Sequence, residues 1–247
     1  LIELAGKTMI HRVYEQASLS EARTVHVATD DKRIEQEVIG FGGSVIMTSA
    51  NHATGTDRIF EAAKTIGLSS SDIVVNVQGD EPLIPPGAIN EVASLIDGSV
   101  EMATLRERIT RLSDVFSPNV VKVVTDENDC ALLFSRAPIP WSRASFPDNL
   151  PTQTQQLAKS QLTEPSSTKA CWFRHLGIYA YTVSMLERYI AWEPTALEQL
   201  ESLEQLRVLS NGEQIRVKLT DEAIPPGIDV PEDIARTLAV LSEGTEP

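Results

Sequence analysis

Apolar positions in the first part of the chain alternate between two spacings. Met9, Ile10, Val13, Tyr14 and Ala17 recur at helical intervals, residues 24–29 form a β-branched run closed by Asp30-Asp31, and Ile34, Val38 and Phe41 return to helical spacing before Gly42-Gly43. The alternation then repeats. Residues 45–48 predict a strand, Thr56-Asp57 opens an amphipathic helix carrying Ile59, Phe60, Ala63 and Ile66, and residues 73–77 make a continuous apolar strand of the kind buried on both faces. Strands interleaved with helices predict a mostly parallel, layered α/β sheet. Further on, residues 120–124, 132–134 and 178–181 predict strands. Leu197, Leu200, Leu203, Leu206 and Leu209 predict one helix ending at Asn211-Gly212, and Pro231 opens a last one. Residues 145–169, rich in Gln, Ser, Thr and Pro, predict an exposed insertion.

Composition narrows the function classes. A chain of 247 residues with 42% hydrophobic content can bury a core of its own. Its 35 acidic against 21 basic side chains, net −14, leave no basic surface to track a phosphate backbone, so nucleic acid is not expected as a partner. No apolar run approaches the roughly 18 residues of a membrane span, and the start lacks the basic-then-apolar order of a signal peptide. These features predict a cytoplasmic protein without a membrane partner. Cys130 and Cys171 have neither metal-ligand spacing nor a disulfide framework, and the histidines at 11, 26, 52 and 175 contain no H-x-x-x-H pair. Ala5-Gly6-Lys7-Thr8 mimics the tail of a P-loop, but the first glycine of that motif would fall on Leu1. Neither G-x-G-x-x-G nor G-x-S-x-G occurs, which removes the main support for a dinucleotide dehydrogenase or an α/β-hydrolase.

The candidate chemistry lies in Gln78-Gly79-Asp80-Glu81-Pro82, directly after the most apolar strand. In open parallel sheets ligands gather at the carboxyl ends of strands; a glycine there admits a ligand to the backbone, and a carboxylate can hold Mg²⁺ on a phosphate. Read alone, the segment fits equally a polar turn in which Asp80 caps a helix. Gly227-Ile228-Asp229 offers a second carboxylate in a similar setting, and it too has a plain reading, as the lead-in to a proline-started helix.

Several segments together carry a resemblance. Ala53-Thr54-Gly55-Thr56-Asp57-Arg58, Gln78-Gly79-Asp80-Glu81-Pro82, Ser117-Pro118-Asn119-Val120-Val121-Lys122, Phe134-Ser135-Arg136-Ala137-Pro138-Ile139-Pro140-Trp141, Arg174-His175-Leu176-Gly177-Ile178-Tyr179, Leu203-Glu204-Gln205-Leu206-Arg207 and Gly227-Ile228-Asp229 stand in the order and spacing of one family. The chain resembles the 3-deoxy-manno-octulosonate cytidylyltransferases, or CMP-Kdo synthetases, over nearly its whole length apart from the insertion. The resemblance implies an α/β, Rossmann-like nucleotidyltransferase (nucleotide-diphospho-sugar transferase) fold with a dimerisation lobe. Residues 1–114 would form the nucleotide-binding α/β part, 115–185 the sugar-binding and dimerisation lobe with its insertion at about 145–170, and 186–247 a return to the core. It implies transfer of CMP from CTP to 3-deoxy-D-manno-octulosonate (Kdo) for lipopolysaccharide synthesis, with Mg²⁺ as cofactor and a homodimer as the assembly.

By the same resemblance, Asp80 and Asp229 are the catalytic, metal-binding carboxylates. Gly55, Thr56, Arg58, Gln78, Gly79 and Asp80 hold the nucleotide, and Arg136, His175, Tyr179, Glu204 and Gln205 hold the sugar acid. Lys122, Arg58, Arg136 and Arg174 are the cations from which attraction for two anionic substrates would come. Apolar Trp172, Phe173 and Ile178 place the dimer contact in the lobe. The family opens with a strand and a glycine- and basic-rich phosphate loop, about 15 to 20 residues on ordinary element lengths. Leu1 to Ile10 resembles the segment that follows this loop, which leaves the chain as given open to being inactive. The alternatives are a cytidylyltransferase for 8-amino-Kdo or a neuraminic acid, or a catalytically silent nucleotide-binding homologue.

Overall fold

The computed structural model describes residues 1–52, 54–143, 146, 172–228 and 230–243. In chain order the strands are β1 (Glu3–Leu4), β2 (Lys7–Thr8), β3 (Val27–Thr29), β4 (Val45–Met47), β5 (Ile73–Asn76), β6 (Met102–Arg108), β7 (Lys122–Thr125), β8 (Ala131–Ser135), β9 (Phe173–Thr182) and β10 (Arg216–Leu219). The helices are α1 (Met9–Ser18), α2 (Lys32–Gly40), α3 (Gly55–Thr65), α4 (Pro86–Ser94), α5 (Leu112–Phe116), α6 (Val183–Ala191), α7 (Ala196–Glu201), α8 (Gln205–Ser210) and α9 (Pro231–Glu243). Helices α1 and α2 and the strands around them follow the predicted alternation. Thr8 and Asp31 cap α1 and α2 through their side-chain oxygens, whereas α3 starts earlier than the Thr56-Asp57 signal suggested, capped by Thr54 in a capping box with Asp57.

The main sheet is organised by β9. One edge of this strand pairs with β6 from Met102↔Tyr181 to Arg108↔Phe173, and β10 continues the sheet parallel to β6. The other edge is shared: β5 takes residues 179–182, and β7 reaches it at Lys122↔Arg174 and passes the sheet on to β8. This corrects the expectation of a mostly parallel sheet. β9 runs antiparallel to β5, β6 and β7, and the parallel pairs are β10–β6 and β3–β4. Apolar patterning records burial and not strand direction, so nothing in the sequence marked the reversal.

Alternation along β9 divides the core. Tyr179 and Tyr181 enter a cluster with Phe134, Leu186, Leu206 and Val217, whereas Leu176, Ile178 and Ala180 pack with Ile84, Val92 and Leu105 on the other side. Two further expectations change. The strand at Ile73 is not buried on both faces: Ile73 is 43% exposed and the rest of β5 half-buried. β3 and β5 have no strand between them among the described residues, and a groove of about 960 Å³ runs alongside both. The leucine stripe is two helices, not one. The chain reverses at Ser202, which is left-handed (φ 52°), leaving Leu200 84% exposed while Leu203 and Leu206 turn inward. Glu198, in a capping box with Thr195, also receives two bonds from Arg207 at 2.5 and 2.8 Å, and this buried pair ties α7 to α8.

In the lobe, Trp172 is 6% exposed and stacks on Phe146 within a small cluster with Ile109 and Val115. Ile178 is buried, and the guanidinium of Arg106 lies 4.4 Å from the Phe173 ring. The apolar area offered as a dimer contact is thus consumed inside the chain. Of the insertion, Phe146 is described and is buried rather than exposed; the rest lies outside the described residues.

Lys122 is a fully buried lysine. Its Nζ donates to the carbonyls of Ser117 (2.8 Å), Val120 (2.6 Å) and Arg136 (2.6 Å), so its three protons are matched by three acceptors. Burial lowers its pKa to about 8, which still leaves it charged at neutral pH. It is a structural bracket between β7 and the segment after β8, not a phosphate ligand. Lys122→Met should destabilise the protein by about 3 kcal/mol or more in urea unfolding, because three buried carbonyls lose their donor; a loss below about 1 kcal/mol would contradict the bracket.

Candidate active site

Because β5 and β7 pair with the same edge of β9 at different stretches, they leave a gap between them opposite residues 175–178. The gap opens at the carboxyl end of β5, where Gln78, Gly79 and Asp80 follow, and at the start of β7, where Val121 O accepts from His175 N at 2.9 Å. On its far edge β9 also breaks register. Thr104 pairs with Tyr179 but Leu105 with Leu176, so Gly177 and Ile178 form a bulge. Gly177 is exposed in that bulge, and a Cβ there would stand 3.9 Å from Glu81 Oε1. A cavity of about 270 Å³ occupies the gap, lined by Glu81, Asn119, Arg174, His175, Gly177 and the segment 224–227.

The segment 224–228 closes the cavity against Asp80. Ile228 N donates to Asp80 O at 2.8 Å, and a Cβ on Gly227 would lie 3.2 Å from the same oxygen, so a side chain there would push that backbone back by a few tenths of an ångström. Glu222, earlier in the same stretch, sets its carboxylate over Gly87 in the first turn of α4, favourable for a negative charge at a helix start.

Four of the six nucleotide-side residues meet the larger groove, most of whose wall is apolar (Val27, Ile46, Ile59, Val74, Val75). Gly55, Arg58, Gln78 and Gly79 all line it, at the start of α3 and the end of β5. Arg58 pairs with Asp30 at 3.0 Å and bonds Thr48 at 2.6 Å, which holds α3 to the ends of β3 and β4. Thr56 is buried, and its hydroxyl donates to Glu204 Oε2 at 2.9 Å; Tyr189 OH reaches the same oxygen at 3.4 Å. Glu204 therefore joins the nucleotide-side helix to α8. Burial raises the hydroxyls of Tyr179, Tyr181 and Tyr189 above the usual phenol range, and nearby Glu204 adds to each shift, so all three stay protonated donors.

The sugar-side residues are brought together less evenly. His175 lines the cavity, its ring 5.0 Å from Phe134 and 5.2 Å from Tyr179. Tyr179 is buried and its OH has no hydrogen-bond partner among the described residues. Gln205 is buried at the start of α8 beside Glu204. Arg136 stands apart as a clamp: Nε donates to Glu201 O at 2.7 Å and Nη1 to Pro118 O at 2.9 Å, bracing the α7–α8 turn that carries Glu204. Arg174 pairs with Glu107 at 2.9 Å on the cavity wall. Sequence reasoning missed Thr104, Tyr189 and the wall residues Asn119, Pro225 and Pro226. The one signal for Thr104 is a hydroxyl inside the apolar run at 102–105.

Asp229 lies outside the described residues. Among those described, no cluster of three or more ligating side chains stands ready for a metal. The donor chemistry fits Mg²⁺ nonetheless, since this ion takes one or two carboxylates and completes its shell with phosphate and water. Asp80 supplies one such carboxylate, and its backbone is bonded to the residue preceding Asp229.

A layered α/β sheet with a cavity beyond the carboxyl end of β5, and a groove that reaches the start of α3 at Gly55, has the architecture of a nucleotidyltransferase. A family model described as cytidylyltransferase matches residues 1–215. The 3-deoxy-manno-octulosonate cytidylyltransferase of Cellvibrio japonicus (strain Ueda107) is 47% identical, covering 99% of this chain and 92% of its own length. That of Aliivibrio fischeri (strain MJ11) is 50% identical over 98% of this chain and 92% of its own. A solved structure of CMP:2-keto-3-deoxy-manno-octonic acid synthetase complexed with CTP superposes with a TM-score of 0.84 at 36% identity, covering 99% of this chain and 91% of that one. The chain belongs to the 3-deoxy-manno-octulosonate cytidylyltransferase family. A 4-diphosphocytidyl-2C-methyl-D-erythritol synthase, at 11% identity and a TM-score of 0.58, shares the fold.

Burial, with the nearby Arg174 charge, pushes the His175 imidazole down to about 3 from its ordinary 6.5. The neutral ring therefore contributes stability that is present above about pH 6.5 and is lost as pH falls towards 3, because the unfolded chain takes up the proton first. Urea unfolding should show the wild type losing stability between pH 6.5 and 4 more steeply than His175→Gln. Parallel slopes would mean that the ring is solvated.

Proposed function

We propose that the protein transfers CMP from CTP to Kdo, releasing diphosphate, and that it does so in the cytoplasm to supply lipopolysaccharide synthesis. The observation that carries this reading is the meeting of two compartments at one strand end. The groove lined by Gly55, Arg58, Gln78 and Gly79 and the cavity lined by Glu81, His175 and Arg174 come to the chain on the two sides of Asp80. A nucleotide on one side and a sugar acid on the other would place the reacting atoms beside that carboxylate.

In the reaction, the anomeric hydroxyl oxygen of Kdo bonds to the α-phosphorus of CTP. The bond to the bridging oxygen of the β-phosphate breaks, and diphosphate leaves with that electron pair; the hydroxyl proton passes to solvent. Asp80 and Asp229 would hold Mg²⁺, which when bound neutralises phosphate charge and acidifies the attacking hydroxyl. The chain's own residues hold and orient. Gly79 lets a phosphate or ribose approach the backbone, Thr56 and Tyr189 fix Glu204, and the unpaired Tyr179 OH gives a buried donor that a sugar oxygen would satisfy. The homodimer implied by the family belongs to the same reading. With Trp172 and Ile178 buried, Leu132 on the sheet-edge strand β8 is an exposed apolar residue left for such a contact.

The test uses the full-length protein with CTP, Mg²⁺ and Kdo, 8-amino-Kdo or a neuraminic acid as acceptors, following diphosphate release. Kdo should be preferred. Asp80→Asn should cut turnover at least about 100-fold while leaving the unfolding midpoint near wild type, since a neutral amide is a poor ligand for a hard cation. Glu204→Gln should raise KM for Kdo well above any change for CTP. Near-normal turnover of Asp80→Asn at limiting Mg²⁺, or preference for another acceptor, would overturn the assignment.

A further inference from the structure

At the bulge in β9 a single hydroxyl on β6 gathers two carbonyls, that of Leu176, the last paired residue before the bulge, and that of Ile178 within it. Thr104 Oγ1 lies 3.0 Å from Leu176 O and 2.7 Å from Ile178 O, and the same oxygen lies 3.1 Å from His175 Nε2. Thr104 is fully buried, so water does not share these contacts. A threonine hydroxyl has one proton to give and lone pairs with which to accept, whereas a backbone carbonyl only accepts. The proton must therefore go to a carbonyl, whichever of the two it serves. What faces Nε2 is a lone pair on Oγ1, and the hydrogen in that contact has to sit on Nε2.

A neutral imidazole protonated at Nε2 carries a bare lone pair at Nδ1. Burial keeps the ring neutral at physiological pH. Nδ1 has no hydrogen-bond partner among the described residues, and His175 lines the cavity in the gap between β5 and β7. We propose that Thr104 is a positioning residue that fixes His175 as its Nε2–H tautomer, so that Nδ1 recognises a hydroxyl of the sugar acid and turns away its carboxylate. The identity of the ligand rests on the Kdo reading above; the tautomer does not. A carboxylate facing a bare lone pair is repelled, so the acid end of the sugar must lie elsewhere in the cavity, whose wall includes Arg174, itself paired with Glu107 at 2.9 Å. The bulge, its hydroxyl anchor and the histidine then act together to orient the acceptor, with a hydroxyl at His175 and the acid group away from it.

The tautomer is read in the ligand-free protein by nitrogen NMR with selectively labelled histidine, His175→Gln identifying the signals among the four histidines. The wild type should show a protonated Nε2 and a bare Nδ1 at pH 7. Thr104→Val, which keeps the shape and removes the hydroxyl, should shift the population toward Nδ1–H, and Thr104→Ser should restore it. In the transfer assay Thr104→Val should raise KM for Kdo about tenfold, the equivalent of one lost hydrogen bond, with KM for CTP within about twofold and rescue by serine. An Nδ1–H or imidazolium form in the wild type overturns the proposal, even if Thr104→Val fails to fold. An unshifted tautomer in a folded Thr104→Val, or equal effects on Kdo and CTP, does so as well. If the tautomers behave as stated but Kdo is not a substrate, the fault lies in the functional reading.

Discussion

Two strands compete for one edge of β9, and the site exists because neither takes all of it. β5 pairs with residues 179–182 and β7 arrives at Arg174, so the backbone between them has no continuous partner on that side. An unpaired stretch inside a sheet must find other hydrogen-bond partners or water. Here Val121 O takes the His175 amide, and from the opposite edge the single proton of the Thr104 hydroxyl serves one of the two carbonyls it lies against. The rest becomes a cavity. The position of Asp80 follows, since β5 ends where its partner residues on β9 run out, and the chain turns there through Gln78 and Gly79.

Electrostatics obey a similar economy. A protein of net −14 that takes two anionic substrates needs local cations, and most of the described candidates are already engaged. Lys122 neutralises three carbonyl dipoles, Arg136 braces the α7–α8 turn, and Arg58 is paired with Asp30. These groups shape the site; Arg174, on the cavity wall, is likewise paired, with Glu107 at 2.9 Å. Unit charges about 4 Å apart at an effective dielectric near 20 interact by roughly 4 kcal/mol, whereas diffuse repulsion fades over a Debye length of about 8 Å. A few placed charges are enough to outweigh the diffuse repulsion of the surface.

What was legible in the sequence followed from period and capping. Helix α1, helix α2 and the start of α9 at Pro231 stand where apolar spacing and polar caps put them. The length and direction of β9 were not legible, because Arg174, His175 and Gly177 interrupt its apolar alternation and the bulge shifts the register. The leucines at 197–209 misled for a related reason: equal spacing suggests one face, but the buried Glu198–Arg207 pair and the left-handed Ser202 fold the stripe into two helices. Residues such as Tyr179 and Glu204 were identified as site residues through the family resemblance alone. Periodicity cannot distinguish a buried tyrosine with an unpaired hydroxyl from an ordinary core aromatic.

The central claim is that the sugar acid sits against the broken stretch of β9 while the nucleotide sits on the α3 side. Hydrogen exchange followed by mass spectrometry on the full-length protein tests it directly, with CTP and Mg²⁺ present throughout and Kdo added second. Kdo should slow exchange in peptides covering residues 174–179 and 224–228 and leave those covering 55–65 as CTP left them. Protection confined to the 55–65 region, with 174–179 unchanged, would contradict the account.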